Sequence, residues 1–118
     1  MPIETFGLYL VITAPLTSYE ICAEAAMRAG VRYVQLRMKG APREQIISVG
    51  RALRAITRGS PTRLIVNDDP YIASEIEADG VHLGQDDMPL DEARRRHPSL
   101  AIFGLSTHNE EQARRAAV

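Results

Sequence analysis

Five short apolar runs, "GLYLVIT", "VRYVQLR", "RLIVND", "GVHLG" and "AIFGLST", recur along the chain, and each leads into a stretch with helical spacing. That alternation constrains the fold more than any other feature. Two parallel strands cannot be joined by a tight hairpin and need a crossover between them, so strand-length runs that alternate with helices read as β/α units around a parallel sheet. Residues 18–29 place Ile21, Ala25 and Ala29 on one helical face, and residues 42–57 carry a stripe of Ile46, Val49, Leu53 and Ile56. Residues 70–78 and 90–97 read as shorter helices, and 109–118 as the start of another. Thr17 with Glu20 reads as a capping box and Asn109 with Gln112 as a weaker one. Pro42 and Pro70 suit a first helical turn, where a missing N–H is no loss. Gly30 and Gly59 stand where helices should end. No Pro/Gly/Ser-rich linker interrupts the pattern, so residues 1–118 read as one domain.

Two α/β architectures accept five such units. One is a self-contained doubly wound sheet of the flavodoxin-like kind, which about 100–150 residues can build. The other is the first five β/α units of a (β/α)8 barrel of TIM-barrel type, which needs about 250 residues when whole. The length of 118 residues favours the first. The second strand favours the barrel. A strand covered by helices on both faces should be apolar throughout, whereas in "VRYVQLRMK" Val34, Leu36 and Met38 fall on one face and Gln35, Arg37 and Lys39 on the other. A barrel strand changes character in this way near its carboxyl end, where the inner face becomes the floor of a site.

The polar residues at the strand ends carry the chemistry. Gln35, Arg37 and Lys39, two cations and an amide on one face, suit an anion such as a phosphate or diphosphate. Asn67 and Asp68 end the third run; a turn or helix cap ahead of Pro70 is the plainer use of such residues, and Asp69 fits that use. Gly84, Gln85, Asp86 and Asp87 end the fourth run. Asp68 and Asp87 follow successive parallel strands and so belong at the same end of the sheet, where two hard oxygen donors with room for water and phosphate suit Mg²⁺. Ser106 ends the fifth run and can donate to an oxyanion. His108 reads as a helix-start or surface residue, and neither His82 nor His97 is given a role. No zinc, Walker or dinucleotide motif occurs.

A net charge of −1 leaves no basic excess for nucleic acid. The run "FGLYLVITAP" is too short to span a bilayer and follows no basic segment, so no signal peptide or membrane span is expected. Cys22, the single cysteine, reads as a small apolar helix residue. A cytoplasmic protein is expected.

The segments "VQLRMKG", "IVNDDPYIA", "ADGVHLGQDDMP" and "GLSTHN", in this order, resemble the thiamine-phosphate synthase (thiamine-phosphate pyrophosphorylase) family over nearly the whole chain. The resemblance implies a (β/α)8 barrel that joins hydroxymethylpyrimidine diphosphate to thiazole phosphate, giving thiamine phosphate and diphosphate. It implies Gln35, Arg37, Lys39, Asn67 and Ser106 as binders of the pyrimidine diphosphate, Arg37, Lys39 and Ser106 as the catalytic groups, and Asp68 and Asp87 as Mg²⁺ ligands. Met38 stands where the family usually has an acid; it faces away from Gln35 and Arg37, so little loss is expected. The sequence ends inside the expected fifth helix, without the later strands and glycine-rich loops that hold the thiazole phosphate. Five strands leave two unpaired edges, through which copies could pair. A thiazole tautomerase-like paralogue and a non-catalytic doubly wound binding module are the alternatives.

Overall fold

The computed structural model describes residues 7–106. The expected fifth helix, its Asn109–Gln112 cap and His108 lie outside the described residues. Among the described residues nine elements alternate: β1 (Tyr9–Ile12), α1 (Tyr19–Arg28), β2 (Tyr33–Leu36), α2 (Arg43–Thr57), β3 (Arg63–Asn67), α3 (Pro70–Glu75), β4 (Gly80–Leu83), α4 (Leu90–Arg96) and β5 (Ile102–Leu105). All four strand pairs are parallel, and the sheet order is β1-β2-β3-β4-β5.

That order decides between the two architectures. Crossovers between parallel strands are almost always right-handed. When each new strand adds to the same edge, every connecting helix falls on the same face. A doubly wound sheet reverses direction once and so acquires helices on both faces. Here the order never reverses. The core accordingly forms on one side: Ile12, Val34, Leu36, Leu64, Val66, Val81 and Leu83 pack with Ala23, Ala26, Leu53, Ile72, Ala73 and Ala93 of the four helices. Ile65 and Gln35 are also buried, but they are partners in register on the opposite, concave face, outside that cluster. β1 and β5 are the edge strands among the described residues.

The helices are bounded largely as their sequences predict. Pro70 begins α3, with Asp69 as its cap, accepting from the Tyr71 and Ile72 N–H groups at 2.9 and 3.1 Å. Gly30 and Gly59 follow α1 and α2 with φ of 77° and 81°, the left-handed turn that glycine adopts without strain. Pro42 sits just ahead of α2 as its cap residue.

Two expectations for α1 are corrected. The α1 cap is Ser18, not Thr17: the Ser18 hydroxyl accepts from Ile21 N–H at 3.0 Å. The buried face of α1 is Ala23 and Ala26, flanked by Tyr19 and Cys22, while Ile21 is 59% exposed. Residues 19, 22, 23 and 26 share a helical face as well as 21, 25 and 29 do; close packing against the sheet selects the alanine face. On α2 the expected stripe faces the core: Leu53 is buried and Ile46 and Val49 pack against the cluster, while Gly50 and Thr57 are buried beside them and Ile56 lies outside it. Gly50 leaves room for Ile76, whose Cδ1 would lie 2.7 Å from a Cβ at that position. His97 lies just past α4; it is buried, with Nδ1 2.8 Å from the Ser74 hydroxyl and its ring edge-on to Tyr71. Among the described residues no helix is long and apolar enough to cross a membrane.

Candidate active site

Parallel strands carry their carboxyl ends to one rim, and the polar residues of the strand ends collect there. Alternation along β2 places Gln35 on the concave face, next to Val11 of β1 and Ile65 of β3. A buried amide needs partners. Gln35 Nε2 donates to the Tyr9 hydroxyl at 2.9 Å, and the Tyr9 ring stacks on Tyr33 with centroids 5.7 Å apart. Burial pushes the Tyr9 phenol up, outweighing the opposing effect of Gln35, so the phenol remains protonated. One residue beyond β2, Arg37 holds its backbone N–H on Ile12 O at 3.0 Å and reaches Thr13 Oγ1 at 3.4 Å, on the same side as Gln35. Met38 turns the other way and packs against the helical core.

Lys39 forms an ion pair with Asp68. Asp68 adopts φ +71°, a left-handed conformation uncommon outside glycine, asparagine and aspartate. Its N–H still donates to His82 O at 2.7 Å, extending the β3–β4 ladder by one bond. The chain thus leaves the sheet abruptly after Asn67, and strained residues of this kind concentrate at functional sites. A cavity of about 160 Å³ opens beside this pair, lined by Met38, Lys39, Asn67, Asp68 and Ile72 among others.

Asp87 completes the cluster from the loop after β4. Its Oδ2 accepts the Gly84 N–H at 2.7 Å. Burial first, and then the carboxyl group of Asp68, push the Asp87 carboxyl above its ordinary range; the Gly84 N–H and Lys39 act in the opposite direction. Asp68 and Asp87 therefore sense one another across the rim, as the sequence pattern predicts. The opposite end of the sheet differs. There Asp79 accepts the Leu64 N–H at 2.8 Å and lies 3.7 Å from both Arg54 and Arg63. Two facing carboxylates with one ammonium nearby are a fit donor set for a hard divalent cation that keeps water or phosphate in its remaining positions. Among the described residues no third acid, histidine or cysteine joins them.

The raised Asp87 value gives a direct test. The folded chain keeps a proton that the unfolded chain releases, so stability falls as pH rises from the ordinary carboxylate value through the raised one. Asp87→Asn removes this penalty and retains an acceptor for Gly84. The metal-free Asp87→Asn chain is expected to melt above wild type at pH 7, with the gap closing towards about pH 3, where the carboxyl is protonated in both states. Thermal unfolding across that range measures it; a variant that melts below wild type at neutral pH contradicts it.

Ser106 follows β5, and its backbone is fastened at both ends. Its N–H donates to Leu83 O at 2.8 Å, and its C=O accepts from Gln85 Nε2 at 2.7 Å. Its hydroxyl lies 2.7 Å from His82 Nε2. Burial pushes the His82 imidazole down against the opposing pull of Asp68 and Asp87. His82 and Tyr9 are the residues that sequence reasoning missed. The available signal was alternation: in "GVHLG", His82 is the one polar side chain facing opposite to Val81 and Leu83. Tyr9, Tyr33, Ile65, His82, Ile102 and Gly104 line a cleft of about 460 Å³ on the concave face. All seven residues expected at the site, Gln35, Arg37, Lys39, Asn67, Asp68, Asp87 and Ser106, stand at the carboxyl ends of β2 to β5. Asn67 is placed beside His82 in register.

A sheet wound in one direction, with its polar and charged side chains on the carboxyl rim, defines an α/β protein of the (β/α)8 barrel class. Within that class the chain belongs to the thiamine monophosphate synthase family, whose family model matches residues 8–118. The thiamine-phosphate synthase of Natronomonas pharaonis is 44% identical over 116 residues, which cover 96% of this chain and 54% of the relative. That of Halalkalibacterium halodurans is 40% identical over 102 residues, covering 86% and 48%. The solved thiamine phosphate pyrophosphorylase of Pyrococcus furiosus superposes with a TM-score of 0.83 at 33% identity, covering 93% of this chain and 55% of that one. The chain spans about half the length of the curated relatives it matches.

Proposed function

We propose that these residues form the pyrimidine-diphosphate half of a thiamine-phosphate synthase site. The reaction would transfer the hydroxymethylpyrimidine group from its diphosphate to thiazole phosphate, with release of diphosphate. The observation that carries this reading is the gathering of Lys39, Asp68 and Asp87 on the same rim as Gln35 and Arg37, in a chain of this family.

Asp68 and Asp87 would hold Mg²⁺. When bound, the ion supplies positive charge to the diphosphate oxygens and makes diphosphate a better leaving group. The chain's own residues do the rest. Arg37 and Lys39 hold the diphosphate and take up charge as the C–O bond to the pyrimidine methylene breaks and the electron pair leaves with the diphosphate. Gln35, locked by Tyr9, orients the pyrimidine on the concave face. The thiazole nitrogen then forms the new C–N bond to the methylene carbon. No protein nucleophile is required.

Diphosphate release from the two substrates, measured with and without Mg²⁺ alongside calorimetric binding of the pyrimidine diphosphate, tests the proposal. Mg²⁺-dependent binding is expected, with release wherever the thiazole half-site is supplied. Absence of any Mg²⁺-dependent binding of the pyrimidine diphosphate overturns it.

A further inference from the structure

The His82–Ser106 contact carries an inference that deepens the proposed function and rests on it. His82 projects from the middle of β4 onto the concave face, opposite Gly104 of β5 in register. The ring lies directly against that glycine. A Cβ built at Gly104 would collide with His82 Nδ1 and come within 3.3 Å of Cε1. Nδ1 therefore faces the Gly104 α-carbon, and it makes no hydrogen bond among the described residues. His82 is half-buried, so what disfavours a proton on Nδ1 is this contact: the N–H would point into the Gly104 methylene, where no acceptor stands. Nε2, at the other side of the ring, lies 2.7 Å from the Ser106 hydroxyl.

We propose that His82 is a positioning residue that acts through Ser106: seated on Gly104, its imidazole is the Nε2–H tautomer and donates to Ser106 Oγ, which leaves the Ser106 hydroxyl proton to be donated to a diphosphate oxygen. The polarity of this bond matters because the ligand is an anion. If Nε2 accepted instead, the serine proton would be committed to the imidazole and Ser106 would turn a lone pair towards negative charge. The bonds from Leu83 and Gln85 hold the Ser106 main chain, and the contact with His82 Nε2 holds Oγ, so the tautomer sets the direction of donation. A glycine at 104 is what allows a histidine at 82 to reach Ser106.

The test uses the whole chain, with ¹⁵N-labelled histidine and with Mg²⁺ and the pyrimidine diphosphate as probe. Long-range ¹H–¹⁵N spectra should show His82 protonated at Nε2 and bare at Nδ1, with the Nε2 resonance moving in Ser106→Ala. His82→Leu and Ser106→Ala should each weaken binding about tenfold, the scale of one lost hydrogen bond to a charged group, and the double variant should be no weaker than either single one. His82→Gln, whose amide can donate from nearly the same place, should bind within about threefold of wild type. An Nδ1–H tautomer, additive losses in the double variant, or full binding by His82→Leu overturns the proposal. If the wild-type chain binds no pyrimidine diphosphate, it is the functional reading that falls, and the imidazole spectrum then decides the His82–Ser106 contact by itself. Should His82→Leu not fold, the spectrum and His82→Gln decide the matter between them.

Discussion

Asp68→Asn is expected to weaken Mg²⁺-dependent binding of the pyrimidine diphosphate by about 100-fold, while the melting temperature of the metal-free chain stays within a few degrees of wild type. The two halves of this prediction have different causes. Removing one carboxylate from a divalent-cation site removes a unit charge at close range; at an effective dielectric of ~20 two unit charges 4 Å apart interact by about 4 kcal/mol and a carboxylate with a divalent ion by about 8 kcal/mol, of which roughly 2.7 kcal/mol, or 100-fold, should survive as lost affinity once the hydration of the ion is restored. Stability responds less. Lys39 is 56% exposed and Asp68 26%, so their ion pair belongs to the exposed kind that contributes about 0–1 kcal/mol. Asparagine tolerates the left-handed φ of +71° about as well as aspartate, so the turn survives. Asp87 is also relieved of a facing negative charge. A β-branched residue at position 68 would be a poor substitute test, because it would add backbone strain of about 1–3 kcal/mol to the loss of charge. Calorimetry with and without Mg²⁺, beside a thermal melt, separates the two effects. Unchanged affinity in Asp68→Asn would remove Asp68 from the site.

Gly80→Ala is expected to be the most damaging single methyl group in the chain. Gly80 opens β4 and pairs with Ile102 of β5. A Cβ there would fall on the Ile102 carbonyl oxygen and lie 2.6 Å from the Ile102 Cβ. The obstacle includes backbone in a paired strand, which cannot swing aside as the tip of a side chain can. Alanine must push β5 away from β4, and the cost should be about 3 kcal/mol or more. For a domain of this size that lowers the melting temperature by on the order of 10 °C or more. The same displacement would separate His82 from Ser106, so ligand affinity should fall with stability. Denaturant unfolding of Gly80→Ala measures the effect, and a melting temperature within about 2 °C of wild type would contradict the close approach of the two strands. Gly50 offers a contrast: the one atom its Cβ would crowd is the terminal methyl of Ile76, which can rotate, the Ile76 Cγ2 and Leu36 Cδ2 lying at ordinary contact distance, and alanine favours the helix.

What the sequence settled about this protein is local. Strand and helix follow from the spacing of apolar residues within a few turns or a few pleats, so the alternation of five runs and four helices was legible. So were the Asp69–Pro70 helix start and the glycine turns at 30 and 59, because each depends on atoms two to five residues apart. The separation of Gln35 and Arg37 from Leu36 and Met38 was legible for the same reason: alternation is a property of one strand. Two errors arose where local signals are degenerate. Thr17 and Ser18 are both good caps, and α1 offers two small-residue faces.

Tertiary structure alone decided what touches what across the sheet. Nothing in the local pattern says that β1 to β5 add in order at one edge, yet that order puts every helix on one side and leaves the other as an open, concave floor. The Tyr9–Gln35, Lys39–Asp68 and His82–Ser106 pairs span 26, 29 and 24 residues. Each exists because strand order and register bring side chains of neighbouring strands to the same height and the same face. Propensity and period act over a turn of chain and carry no information about register, so a histidine that reads as an ordinary strand residue becomes part of the site only when its neighbour in space is known.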